Sequence, residues 1–384
     1  MKLAVVGAGN VGLKLAEAAC DSRSLEVTVI DKNERRLKSI RRNQGVETVQ
    51  LDVLSHPSIV EASVKGFDIV CSLLPGAVGD RIWAPVINAG VNLVDVSFTK
   101  ANPLLLHKKA LEKNIIFIPD SGVAPGLSNI IAGRIYSSDN PRKIKIMVGG
   151  ISAENTGLLG LSATWNIQDL IEEYLRPARL IRNSRLISVN PLDEIYLVSI
   201  PGLGELEAFP TDGLRTMLHT LTSLEELVEL TLRYKGHCEK MRFLRDIGLL
   251  SDKDINVDGK HVKSSSILAE LLRLSLPTTK DKLVMVIQAE NSVKRAFRLI
   301  HHGIRGTAMA EVTAYTAMSI IEALAAGVID LKGVVPPEVL GFKREIYDYI
   351  VRRLSDRGIK VEEADPVDVH LSVGDCWLGE INNR

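Results

Sequence analysis

A chain of 384 residues is longer than one ordinary hydrophobic core serves, so two domains are expected. Lysine plus arginine balances aspartate plus glutamate at 47 each, which leaves no global field to recruit nucleic acid or an anionic membrane and points to a small-molecule partner. Aromatic residues are only 4%, so the cores must be built from Leu, Ile, Val and Ala; Cys20, Cys71, Cys238 and Cys376 stand apart, with no spacing suited to a disulfide framework or a metal site.

The chain opens on an apolar strand, Lys2 to Val6, running straight into Gly7-Ala8-Gly9-Asn10-Val11-Gly12. This G-x-G-x-x-G spacing follows a strand and opens a helical run, Val11 to Cys20, and a second strand, Glu26 to Ile30, then ends in Asp31. Gly7 permits a tight turn, Gly9 lets the backbone approach a pyrophosphate, and Gly12 lets helix and strand pack closely. Asn10 and Val11 begin the helix whose free N–H groups would face the phosphates. Asp31, with Lys32 beside it, is placed to bind the adenine ribose, which favours NAD over NADP. The basic run Arg35, Arg36, Lys38, Arg41 and Arg42 reads as a solvated helix face, with a grip on a 2′-phosphate as its sharper reading.

Short apolar strands then alternate with amphipathic runs as far as residue 125, the pattern of right-handed crossovers and a doubly wound parallel sheet, a Rossmann domain. The later strands are Thr48 to Leu51, Ile69 to Leu73, Asn92 to Asp95 and Ile115 to Pro119. Asp52 would approach the adenine, and Leu74 and Pro75 would line the nicotinamide side. Pro119 to Gly126 follows the sixth strand at its carboxyl end, where open α/β sheets bind ligands, so Asp120 is a candidate to face nicotinamide and substrate. An interdomain hinge is the plainer reading of that segment.

After residue 140 strands dominate: Lys143 to Gly149, Glu194 to Ile200, Glu205 to Phe209, Glu226 to Tyr234, Leu283 to Ala289 and Lys294 to Ile300, the last two a hairpin. This predicts an inserted α+β domain with a mostly antiparallel sheet. Thr231 to Lys240 crowds Arg233, Lys235 and His237 around Gly236. Arg233 offers a planar fork for a carboxylate, and His237 a proton carrier. His301-His302 are adjacent on a strand, point to opposite faces and make no metal pair. His219 and Trp165 are weaker candidates to line the cleft. The helical final third returns to the first domain, giving residues 1–125 plus about 304–384 as the dinucleotide-binding domain and 126–303 as the substrate domain. Thr307 to Ile329 carries Glu311 and Glu322, which argues for a packed helix rather than a membrane span, and no export leader precedes the first strand; a cytoplasmic protein is expected.

In this order the motifs Gly7 to Gly12, Val94 to Phe98, Asp120 to Asn129, Asp169 to Tyr174, Arg176 to Arg179, Asp212 to Thr216, Thr231 to Lys240 and Gly333 to Glu338 resemble the saccharopine dehydrogenase superfamily, most closely its lysine 6-dehydrogenase branch. The resemblance implies NAD-linked oxidation of the side-chain amine of L-lysine to a cyclising semialdehyde, with ammonia released, by a homodimer joined through the second domain. Saccharopine-forming reductases tend to carry an acid just before the Pro-Gly of the hinge motif; here that residue is Ala124. On this reading Arg233 anchors the α-carboxylate, Arg215 and Thr216 are secondary contacts, and His237 or Asp120 moves protons. A saccharopine or carboxynorspermidine type dehydrogenase acting on a secondary amine, and a non-enzymatic NAD-sensing protein, are the alternatives.

Overall fold

The computed structural model describes residues 1–22, 24–40, 46–154, 157, 159–162, 166–277 and 280–371. Arg41, Arg42, Trp165 and Cys376 lie outside the described residues.

Six strands form the first sheet in crossover fashion: β1 (Lys2–Val6), β2 (Glu26–Asp31), β3 (Val46–Gln50), β4 (Ile69–Ser72), β5 (Asn92–Asp95) and β6 (Ile116–Ile118). They run parallel in the order β6-β5-β4-β1-β2-β3. Inner parallel strands are covered on both faces, which is why β1, β4 and β6 read as mainly apolar runs, whereas the edge strand β3, Val-Glu-Thr-Val-Gln, is half exposed. In β1, Leu3 and Val5 point into the large core, while Ala4 and Val6 face a smaller one built around Trp83 and Phe117.

The second sheet is built from β7 (Lys143–Ser152), β8 (Ala178–Arg182), β9 (Arg185–Val189), β10 (Tyr196–Ile200), β11 (Gly204–Pro210), β12 (Glu226–Tyr234), β15 (Asp281–Glu290) and β16 (Lys294–His302); β13 (Asp254–Val257) and β14 (Lys260–Lys263) make a separate hairpin. Its pairings are antiparallel except β7 with β12. β15 and β16 pair in register from Lys282–His302 to Glu290–Lys294, a true hairpin. The architecture is thus the α/β one read from the sequence, a parallel Rossmann-like sheet beside a second, mostly antiparallel one.

The last segment serves both sheets. Helix Ala308–Ala325 packs on helix Asn10–Cys20, and β17 (Gly333–Val334) extends the first sheet beside β6. β18 (Glu362–Ala364) and β19 (Asp368–Leu371) instead cap the open edges of the second sheet at β16 and β10. Strand pairing therefore departs from the expected boundary, which gave all of 304–384 to the first domain; exposed sheet edges need cover, and the chain's end supplies it.

Candidate active site

A cavity of about 880 Å³ runs between the carboxyl ends of the first sheet and the face of the second. At one end the glycine loop forms its wall. Gly7 has φ +110°, and a Cβ there would lie 2.9 Å from the Leu73 carbonyl oxygen; one on Gly12 would fall 2.0 Å from the Gly7 carbonyl oxygen. Helix Asn10–Cys20 begins after Gly9 with no side-chain cap, so its first N–H groups remain available at the cavity. A Cβ on Gly9 would meet no heavy atom within 4 Å. This uncapped helix start, with open space over Gly9, fits the pyrophosphate of a dinucleotide. The Asp31 carboxylate accepts the Ala8 N–H and the Asn33 N–H, each at 2.7 Å, which fixes the loop against the end of β2. Lys32, Arg36, Asp52, Leu74 and Pro75 line the same cavity, followed by Val96 to Phe98 and Gly122 to Pro125.

The other end is made by β12. Strand alternation sends Leu230 and Leu232 into the core and turns Glu229, Thr231 and Arg233 onto the cavity. Arg233, 2% exposed, donates Nε–H to Tyr174 Oη at 3.2 Å, Nη1 to the Leu232 carbonyl at 2.9 Å and Nη2 to Glu173 at 2.5 Å. Guanidinium has five N–H donors, so two remain. Helix Ile167–Leu175 supplies Glu173 and also Asp169, whose carboxylate accepts the Gly76 N–H at 3.4 Å. Burial raises the affinity of both carboxylates for a proton, opposed at Glu173 by Arg233 and at Asp169 by the Gly76 N–H. Glu229 is 4% exposed; Thr211 reaches its Oε1 at 3.4 Å, and its Oε2 is buried with no partner. Burial, and then Glu173, push this carboxyl up to about 8.

Four residues expected in the site sit behind its wall. Asp120, with φ 51°, turns away from the cavity and pairs with Arg215 at 3.1 Å; Arg215 also donates to the Ala101 carbonyl, so each satisfies the other in the core. Thr216 donates to buried Glu338 at 3.0 Å. His237 lies behind Arg233. Its Nδ1 is 2.9 Å from the Leu159 carbonyl, which only accepts, so Nδ1 carries the proton and Nε2 accepts from Tyr174 Oη at 2.8 Å. Burial, with Arg233 nearby, drives His237 down to about 3; it supports Tyr174 as a neutral ring. Lys235 points to solvent, paired with Glu205 at 2.7 Å, because the strand ends at Tyr234 and Gly236 turns the chain at φ 83°. His219 is exposed, and His301 pairs with Glu311 at 2.8 Å while His302 faces solvent. Among the described residues no cluster of three or more His, Cys, Asp or Glu is set to hold a metal ion, and no helix is long and apolar enough to cross a membrane.

Sequence reasoning overlooked Glu173, Asp169 and Glu229. The signal was present in Glu-Leu-Thr-Leu-Arg, residues 229–233: an acid and a base on one face of a strand whose other face is leucine.

Residues 3–118 match the family model described as the saccharopine dehydrogenase NADP binding domain, and residues 122–359 match the saccharopine dehydrogenase C-terminal domain. The mitochondrial alpha-aminoadipic semialdehyde synthase of Mus musculus is 22% identical over 310 residues, 74% of this chain and 33% of that protein, so the chain spans about a third of the length of that relative. The saccharopine dehydrogenase [NADP(+), L-glutamate-forming] of Saccharomyces cerevisiae is 20% identical over 304 residues, 76% of this chain and 67% of the relative. In fold, the chain is similar to the apo structure of saccharopine dehydrogenase (L-Glu forming) from Saccharomyces cerevisiae, with a TM-score of 0.77 at 17% identity, covering 94% of this chain and 99% of that one. With both halves matched in order, the chain belongs to the saccharopine dehydrogenase family.

Proposed function

We propose that this protein is an NAD(P)-dependent amino-acid dehydrogenase that removes a hydride from a carbon bearing an amine, and that its substrate is L-lysine, oxidised at the side-chain amine with release of ammonia. The observation that carries this reading is the single cavity joining the glycine loop to Arg233, Glu173 and Glu229. Gly7, Gly9, Asn10, Val11 and Gly12 would hold the pyrophosphate, and Asp31 the adenine ribose with Lys32 and Asp52 near it. Leu74 and Pro75 would lie along the nicotinamide side, and a bound nicotinamide supplies the hydride acceptor. The carboxylate of Asp31 at the cavity edge favours NAD; Arg36, in the same wall, is the residue that would serve a 2′-phosphate instead.

Arg233 has two N–H groups left to take the α-carboxylate as a fork, and its other three bonds hold the guanidinium in one plane. Tyr174 and, behind it, neutral His237 fix that plane; they are positioning residues. Ala124 puts only a methyl group into the wall near Pro125, which supports release of ammonia over condensation with a second amino acid.

The reading with a secondary amine as substrate draws on the yeast relative's name and predicts turnover of saccharopine-like compounds only. A panel of amino acids and polyamines with NAD and NADP, followed at the nicotinamide absorbance, separates the two. The proposal includes a homodimer joined through the second domain, supported by the exposed Phe243, Ile247, Leu271 and Leu274 on helices His237–Asp246 and Ser264–Ser275 and their flank; light scattering tests it.

A further inference from the structure

Among the acids that line the substrate end, Glu229 differs from the rest in its company. Glu173 is held by Arg233 at 2.5 Å, and Asp169 accepts a backbone N–H. Glu229 has only the Thr211 hydroxyl, at the long distance of 3.4 Å, and that hydroxyl also shares a hydrogen with Thr231 at 2.9 Å. Its Oε2 has no partner at all, although it is buried. A carboxyl oxygen left like this is costly in a finished core and is met where a ligand completes the bonding. The chain makes room for it: a Cβ on Gly213 would fall 1.7 Å from Glu229 Oε1, so only glycine at 213 admits the carboxyl in this place.

Position adds a second argument. Glu229 and Arg233 are four residues apart on one face of β12, which sets their Cα atoms about 13 Å apart at a rise of roughly 3.3 Å per residue. Both side chains reach into one cavity, so a substrate whose carboxylate sits on Arg233 presents its far end, not its α-amine, toward Glu229.

We propose that Glu229 is the base that takes the proton from the substrate's terminal ammonium. The inference rests on the amine-dehydrogenase reading above. In the step, a proton passes from R–CH₂–NH₃⁺ to the Glu229 carboxylate, giving R–CH₂–NH₂ and the neutral carboxylic acid. The nitrogen lone pair so freed lets the C–H electron pair leave as hydride to an oxidised nicotinamide dinucleotide, the oxidant the reading requires, and the substrate becomes R–CH=NH₂⁺.

The groups facing Glu229 suit this role. Glu173 on helix Ile167–Leu175, Asp212 after β11 and Asp120 after β6 disfavour its ionisation, although Asp120 is paired with Arg215; the hydroxyl of Thr211 opposes them weakly. Asp169 and Arg233 are the other charged groups lining the substrate end of the cavity, with Arg233 engaged by Glu173, while Asp31, Lys32, Arg36 and Asp52 line its far end. Burial first, and Glu173, Asp212 and Asp120 after it, push the Glu229 carboxyl up to about 8, so it binds a proton more readily than an exposed glutamate, and entry of an ammonium ion draws that proton off.

The test uses the full chain and Glu229→Gln, with Glu229→Asp as a second variant should the first fail to fold. For wild type, kcat/KM with L-lysine should rise with pH through a midpoint near 8 and level off about a unit above it. Glu229→Gln should lose about 100-fold or more in kcat and flatten that limb, with cofactor Kd unchanged. Glu229→Asp should keep the limb at a lower rate. Independently of turnover, calorimetry of L-lysine binding in buffers of different ionisation enthalpy should report proton release at pH 7 for wild type and none for Glu229→Gln. An active wild type whose Gln variant keeps the rate and the limb, or releases the same proton, overturns the role of Glu229 alone. A wild type inactive with every amine overturns this role together with the reading beneath it.

Discussion

Replacing Gly9 by alanine separates the dinucleotide site from the stability of the fold. The residue has φ −74° and ψ −170°, a conformation any L-amino acid adopts, and its new methyl would meet no heavy atom within 4 Å. The ligand-free protein should therefore fold unchanged or gain about 0.4–1 kcal/mol from a less flexible unfolded chain, a rise in Tm of no more than about 4 °C. The methyl projects over the uncapped helix start, where the proposed pyrophosphate would approach. Losing one charge-assisted hydrogen bond there removes about 1.5–3 kcal/mol, or roughly a 10- to 150-fold weakening of cofactor Kd. Gly12→Ala is the contrast: its Cβ would sit 2.0 Å from the Gly7 carbonyl oxygen, so the backbone must move, and both Tm and Kd should suffer. Titration of NAD and NADP by calorimetry, with Tm from circular dichroism, reads both effects. A Gly9→Ala protein that binds either cofactor with wild-type Kd refutes the placement of the pyrophosphate.

Arg233→Ala should raise the KM for the amino acid by about 10- to 100-fold with cofactor Kd unchanged, since the two N–H groups not already bonded to Tyr174, Leu232 and Glu173 are proposed to meet the substrate and not the cofactor; steady-state kinetics with separate cofactor titrations decide this. Asp120→Ala should act on stability rather than chemistry, costing about 3–5 kcal/mol because it strands the buried Arg215, as a shift in the urea midpoint would show. His237 binds a proton far less readily folded, at about 3, than at its ordinary 6.5. Its contribution to stability is complete above 6.5 and is lost as pH falls toward 3, by about 1.4 kcal/mol per pH unit, a slope that urea titrations should find reduced in His237→Gln.

The first domain was legible because its signals are local. The glycine loop, the strand before it and Asp31 after it lie within 31 residues, and the inner strands β1, β4 and β6 are mainly apolar. Short edge strands were not: β8, β9, β18 and β19 carry mixed patterns, and their partners are set by which sheet edge is open rather than by their own residues. In the site, Arg233 was visible as a cation at a strand end, but its neighbours misled. Lys235 and His237 follow it closely in sequence, yet the turn at Gly236 sends one to solvent and the other behind Tyr174. Asp120 stands at the carboxyl end of a strand, where ligands bind, but a positive φ points it at Arg215, a partner 95 residues away that no local pattern announces. Glu229 escaped notice because an acid in a mainly apolar strand, here beside Glu226 at the strand's start, looks like an edge position until the sheet on both sides is known.

Oxidation of a primary amine in this cavity is read most directly from the ammonia formed per reduced nicotinamide with L-lysine as the sole organic substrate. Adding lysine and NAD alone should reduce the cofactor, with one ammonia formed for each NADH. Reduction that requires saccharopine or another secondary amine and yields no ammonia, or no reduction with any amine, would contradict the proposed function.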